Sequence, residues 1–163
     1  MLRVYIFSIF CLLIFSINSF AAKQTKAIFQ IGSLGKAWEK VESPLPGLEA
    51  VYVNNTEKKS ANITILKDAT ANLYSNIDDY VRDAVKIVKE QKVQDVVLVK
   101  SANNKTTGKY YLIYSKKGEE ELIQAVFFRL GYGFYVLTAT AKTSQFNSVL
   151  KDLEKAISGA RFL

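Results

Sequence analysis

Residues 109–142 read KYYLIYSKKGEEELIQAVFFRLGYGFYVLTATAK. Two turn signals, Lys116-Lys117-Gly118-Glu119 and Gly131-Tyr132-Gly133, divide this stretch into three runs rich in Tyr, Phe, Val, Ile, Leu and Thr. Each run has the length of a strand, and short glycine-containing connections between such runs signal hairpins. The stretch is predicted to be a three-stranded antiparallel meander at the middle of a sheet.

Neither side of the meander is polar. In residues 122–130 one side carries Leu122, Gln124, Val126, Phe128 and Leu130, and the other carries Ile123, Ala125, Phe127 and Arg129. In residues 134–141 the two sets are Phe134, Val136, Thr138, Thr140 and Tyr135, Leu137, Ala139, Ala141. A sheet with one wet face would alternate between apolar and polar residues, so both faces here require cover. Two amphipathic helices are available for it. Residues 76–91 place Ile77, Tyr80, Val81, Ala84, Val85 and Val88 on one stripe, with Ser75 as the expected N-cap and Asp78 three residues on. Asp78 and Asp79 fall where the helix dipole favours negative charge, and Lys86, Lys89 and Lys92 fall where it favours positive charge. Residues 143–158 place Phe146, Val149, Leu150, Leu153, Ala156 and Ile157 on a second stripe, which Gly159 ends.

The remaining strand signals are residues 27–31 (AIFQI), an edge strand over 37–43 (AWEKVES), a hairpin of 48–54 with 61–66, and 93–101 (VQDVVLVKS). Pro44 and Pro46 interrupt the ladder after the edge strand. The expected class is α+β: an antiparallel β-sheet flanked by helices. One helix on each face gives an α/β/α sandwich; both on one face would leave an aromatic face for a ligand or partner.

The first 21 residues stand apart. A short positive start (Arg3) precedes an almost wholly apolar run over 4–17, and Ser19 and Ala21 precede the expected cut. This is the layout of a secretory signal peptide, too short to span a membrane comfortably. The expected division is 1–21 signal peptide and 22–163 single domain, with a periplasmic location. Cys11, the only cysteine, lies inside the apolar run, without the small residues upstream that lipid attachment would need. The domain then has no disulfide and must be held by its core; export without cysteine suits a periplasm.

Charge and chemistry narrow the function classes. The chain carries 22 Lys and Arg against 15 Asp and Glu. The lysines are scattered and paired at expected turns (Lys58-Lys59, Lys116-Lys117), so no nucleic-acid partner is expected; a peripheral contact with anionic lipid headgroups or an acidic partner remains. With no histidine in the chain, Ser-His and Cys-His nucleophile systems and the usual zinc sites are excluded. No catalytic residue, metal ligand or cofactor is expected. The Glu119-Glu120-Glu121 run reads as a solvated turn. Glu39, Glu42 and Glu49 would make an acid–base pair only if folding brought two of them together.

A family resemblance rests on a Gly108-Lys109-Tyr110-Tyr111 to Tyr114 strand, a Gly-aromatic turn, the Tyr135 to Ala141 strand (YVLTATA), Phe146, and a helix running into Ser158, Arg161 and Phe162. From Pro46 to Phe162 the chain resembles the PsbP-like fold family, which includes PsbP extrinsic proteins, a Ran-binding nuclear import factor in yeast and DcrB-type bacterial periplasmic proteins. The resemblance implies an α/β/α sandwich. It also implies no enzyme, since members mostly bind other proteins and share no catalytic residue. DcrB-type members are often lipoproteins, a feature Cys11 does not match.

The expected function is therefore non-enzymatic: a periplasmic binding or scaffolding protein acting through protein–protein or envelope contacts, with an unnamed envelope protein as partner. The alternative is a carrier of a small apolar ligand in a cleft between helix and sheet. The candidate binding residues are Trp38, the single tryptophan, and Tyr110, Tyr114, Phe128 and Tyr135 of the sheet, because aromatics are enriched in interface cores.

Overall fold

The computed structural model describes residues 29–42, 47–54, 61–69, 73–90 and 95–163. The leader-like segment with Cys11, the two prolines and the Lys58-Lys59 turn lie outside the described residues. The elements in chain order are β1 (Phe29–Gln30), β2 (Glu39–Val41), β3 (Leu48–Asn54), β4 (Ala61–Asp68), α1 (Ile77–Glu90), β5 (Asp95–Asn104), β6 (Gly108–Lys117), β7 (Glu120–Arg129), β8 (Gly133–Lys142), α2 (Thr143–Ser158) and β9 (Arg161–Phe162).

The predicted meander is β6-β7-β8, and it lies within an antiparallel sheet ordered β2-β3-β4-β8-β7-β6-β5. The β3–β4 hairpin attaches to the far side of β8, with Ile63 opposite Ala139 and Ile65 opposite Leu137. A two-residue tip, Gly118-Glu119, joins β6 to β7, and Gly118 adopts φ 62°, a conformation glycine reaches without steric cost. Lys116 and Lys117 are not in the turn itself. They end β6 and stand opposite Glu121 and Glu120, so opposite charges face each other across the strands.

One helix covers each face. On one side Ile63, Ile65, Ile123, Ala125, Phe127, Tyr135, Leu137 and Ala139 pack under Phe146, Val149, Leu153, Ala156 and Ile157 of α2. On the other, Ile113, Val126, Phe134 and Val136 pack under Ile77, Tyr80 and Val81 of α1. Phe127 and Phe134 are among the largest fully buried side chains. Removing such a side chain from water contributes about 1.5–3 kcal/mol. The result is the three-layer α/β/α arrangement, with the aromatic residues of the meander divided between two cores.

Both ends of α2 are held by hairpin tips. The Thr143 backbone N–H donates to the Glu119 carbonyl at 2.8 Å, which satisfies an N-terminal amide without a side-chain cap. At the other end Asn104 Nδ2 donates to the Ile157 carbonyl at 2.8 Å and Thr106 Oγ1 donates to the Ala160 carbonyl at 2.8 Å. The start of α1 differs by one residue from the sequence reading. Asn76, not Ser75, is the cap: its Oδ1 accepts from the Asp79 N–H at 2.9 Å, and its Nδ2 donates to Asp79 Oδ2 at 2.7 Å. Both residue types cap helices well, and the position of the first turn decides between them.

The β1–β9 pair seals one edge of the α2 core. Phe29 stands opposite Phe162 and stacks on Tyr135 with ring centroids 4.8 Å apart. The chain leaves β1 through Gly32, whose N–H donates to the Ala156 carbonyl at 2.8 Å. A Cβ on Gly32 would lie 2.4 Å from the Lys155 carbonyl oxygen, and one on Gly159 would lie 2.5 Å from the Gly32 Cα. Two backbones approach here as only glycines permit.

Candidate functional site

The five aromatic candidates divide between the two cores, four on the α2 side and one on the α1 side. Tyr135 is fully buried under Phe29 and Phe162. Burial, with a smaller push from Glu49, raises its hydroxyl to about 12. That hydroxyl is buried and finds no hydrogen-bond partner among the described residues. Tyr110 is half-buried and stacks on Phe127 at 5.3 Å. Tyr114 is half-buried, meets Phe146 of α2 edge-on, and donates from its hydroxyl to Glu121 Oε2 at 2.8 Å. Trp38 is half-buried against the same core, and its indole N–H donates to Asp152 Oδ2 of α2 at 3.0 Å. These four lie on the α2 side. Phe128 belongs to the α1 side, where it stacks on Phe134 at 4.5 Å.

Glu119 is exposed in the turn as the acidic run predicts, but the last residue of the run departs from a solvated turn. Glu121 lies in β7, with its side chain only 12% exposed, and receives the Tyr114 hydroxyl and the nearby Lys116 ammonium at 3.9 Å. Among the described residues no three His, Cys, Asp or Glu side chains assemble into a metal-binding group.

An open groove of about 620 Å³ runs along the flank of α1. The spacing of α1 builds it. Ile77, Tyr80 and Val81 turn toward the sheet, and Tyr80 stacks on Phe134 of β8 and donates to Asp68 Oδ2 of β4. The opposite flank therefore faces β6, toward the β5 edge of the sheet. Val85 and Tyr111 give that flank an apolar floor beside the buried Val81, and Arg82, Lys86 and Lys89 give it a cationic rim. Asp78 and Glu90 stand at its two ends.

The acidic end is neutralised. Asp78 Oδ1 receives Lys109 Nζ at 2.8 Å and also the Tyr111 hydroxyl, and Lys109 lies over the Tyr111 ring at 4.8 Å. Hydrogen bonds from Lys109 and then Tyr111 hold the Asp78 carboxyl below the usual carboxylate range. Arg82 pairs with Asp79 at 2.8 Å. Lys86 and Lys89 are exposed and have no ion pair among the described residues. Positive charge beside an apolar floor is thus what the groove presents. By position alone Lys86 and Lys89 are favourable charges toward a helix C-terminus. The sequence signal for the groove is their recurrence with Arg82 at four- and three-residue steps, next to Val81 and Val85.

No protein-family model matches the chain, and no curated protein sequence matches it. Among solved structures the chain is similar to the Ran-binding protein Mog1p of Saccharomyces cerevisiae, with 10% identity over 90% of this chain and 96% of that chain and a TM-score of 0.53. A point mutant of Mog1 gives the same figures. Cyanobacterial PsbP (CyanoP) from Synechocystis sp. PCC 6803 aligns over 89% of this chain and 98% of that chain at 13% identity, with a TM-score of 0.49. The PsbP-like fold expected from residues 46–162 is the fold the chain adopts, and it is shared with Mog1.

Proposed function

We propose that this chain is a non-enzymatic binding module of the cell envelope that recognises another protein through the groove between α1 and β6. The observation that carries the reading is the contrast between the two helices. On the α2 side Trp38, Phe146 and the β1–β9 pair pack against the core, whereas α1 leaves an open apolar floor beside cations without ion pairs among the described residues. Depth and charge of this kind suit a protein segment that brings apolar anchors and acidic groups. The same fold serves a protein named as Ran-binding, which supports protein recognition. The apolar segment over 4–17 with Ser19 and Ala21 behind it supports export to the periplasm. No helix among the described residues is long and apolar enough to cross a membrane.

The test is site-specific photo-crosslinking of the exported chain. A photoreactive residue in place of Lys86 should give a discrete protein adduct that the same residue in place of Ser144, exposed on α2, does not give. Equal labelling from both positions, or none from Lys86, overturns the reading. The second reading, a carrier of a small apolar ligand, is favoured by the groove volume, which lies within the range of ligand pockets. Native mass spectrometry of the purified chain distinguishes it, since a carrier retains a small molecule of constant mass.

A further inference from the structure

Resting on that protein-binding reading, we infer that the partner enters as a short extended segment that adds a strand to the β5 edge and lays acidic and apolar side chains into the α1 groove. The sheet order ends at β5, a ten-residue strand that pairs with β6 alone among the described residues. Its outer edge therefore carries a row of backbone N–H and C=O groups, and such a row is a template for another strand. Edge addition of this kind supplies affinity through main-chain hydrogen bonds and specificity through pockets for alternate side chains.

The pocket is next to the edge. α1 packs over β5, β6 and β7. Its groove flank points away from β4 and β8, and Tyr111 of β6, one strand in from the edge, forms part of the floor. A strand added outside β5 would run alongside that flank. Every second side chain would face Val85, Lys86 and Lys89; the intervening ones would face the α2 side of the sheet. An apolar residue suits Val85, and carboxylates suit the two lysines.

The register indicates how long the segment is. β5 carries one extra residue, Val99, between the pairs Leu98–Ile113 and Lys100–Leu112. A bulge bends an edge and blocks indiscriminate pairing along its full length. Straight edge is left over residues 95–98 and 100–104, enough for four or five residues of a visitor each. A short segment fits either part. A second copy pairing its whole β5 against this one would meet the bend in both strands.

Two synthetic five-residue peptides test this, Glu-Thr-Val-Thr-Glu and Lys-Thr-Val-Thr-Lys, each of which presents its first, third and fifth side chains on one face. Each is titrated by fluorescence anisotropy against the full exported chain and against a Lys86→Glu, Lys89→Glu variant, with amide hydrogen exchange read over residues 95–104. The glutamate peptide should bind at least tenfold more tightly than the lysine peptide, and the variant should reverse that order. Alternate β5 amides, the ones facing outward, should slow in exchange when the glutamate peptide is bound. Binding that leaves β5 exchange unchanged overturns strand addition. Equal affinity for the two peptides overturns the charge match. If neither peptide binds while the Lys86 position still crosslinks to a protein, this inference fails and the protein-binding reading stands. If the crosslink is missing too, both fail.

Discussion

The Tyr80 hydroxyl of α1 donates to Asp68 Oδ2 of β4 at 2.6 Å, and both side chains are buried. The bond ties the groove helix to the strand on the opposite flank. A hydrogen bond to a charged group contributes about 1.5–3 kcal/mol. Tyr80→Phe should lower unfolding stability by that amount, read from the urea midpoint. Tyr135→Phe should do the opposite. Its buried hydroxyl has no partner among the described residues, so its removal should be neutral or stabilising by about 1 kcal/mol. Equal losses from the two substitutions would contradict the contrast.

The same two tyrosines set an alkaline limit. Burial, then the Asp68 charge, pushes Tyr80 far above its ordinary 10.0, and burial pushes Tyr135 up to about 12. Above pH 10 the unfolded chain loses these protons while the folded chain keeps them. The folded state then binds more protons, so stability falls as pH rises. It is fully present below pH 10, and the Tyr135 part is lost between 10.0 and about 12. Urea midpoints measured from pH 8 to 12 should decline, and the decline should be shallower in Tyr80→Phe.

Trp38 and Asp152 form the corresponding tie on the other side. Trp38→Phe should cost about 1 kcal/mol for the lost hydrogen bond, plus lost packing. Asp152→Ala should cost less in the Trp38→Phe background than alone, because the two act together. As the single tryptophan, Trp38 also reports the state of this contact by its fluorescence.

Gly32→Ala and Gly159→Ala should each destabilise by about 1–3 kcal/mol, because the added methyl meets backbone that cannot step aside. Gly35→Ala serves as the control, since nothing among the described residues lies within 4 Å of a Cβ there.

Asp78 should titrate below 3.8, and Lys109→Met should move its midpoint upward, as followed by carboxyl NMR. The sign is that of a depressed acid: its contribution to stability is present above pH 3.8 and is lost as pH falls below it.

The meander was legible because Gly118, Gly131 and Gly133 punctuate it, and the hydrophobic content of both strand faces already required two covering helices. The site was less legible. Alternation assigns faces within one strand but not between strands. Tyr110 joins Trp38 and Tyr135 while Phe128 does not, because the register sets Tyr110 opposite Phe127. Glu121 was misread for the same reason: its face and its partner Tyr114 follow from pairing, not from its neighbours in sequence. The groove needs still more distant information. Only the order of strands puts β5 at an edge, and only the placement of Tyr80 turns the Arg82–Lys89 flank toward it.

The pairing of β1 with β9 bears on how the chain reaches this state. Phe29 and Phe162 are neighbours in space but lie near opposite ends of the described sequence. Closing so long a loop carries a large entropic cost that local hairpins avoid. The β6-β7-β8 meander should thus collapse early and the Phe29–Phe162 contact should come late. An intermediate lacking only that contact would leave Tyr135 and the end of α2 uncovered, so the refolding step that protects Tyr135 should be the slowest.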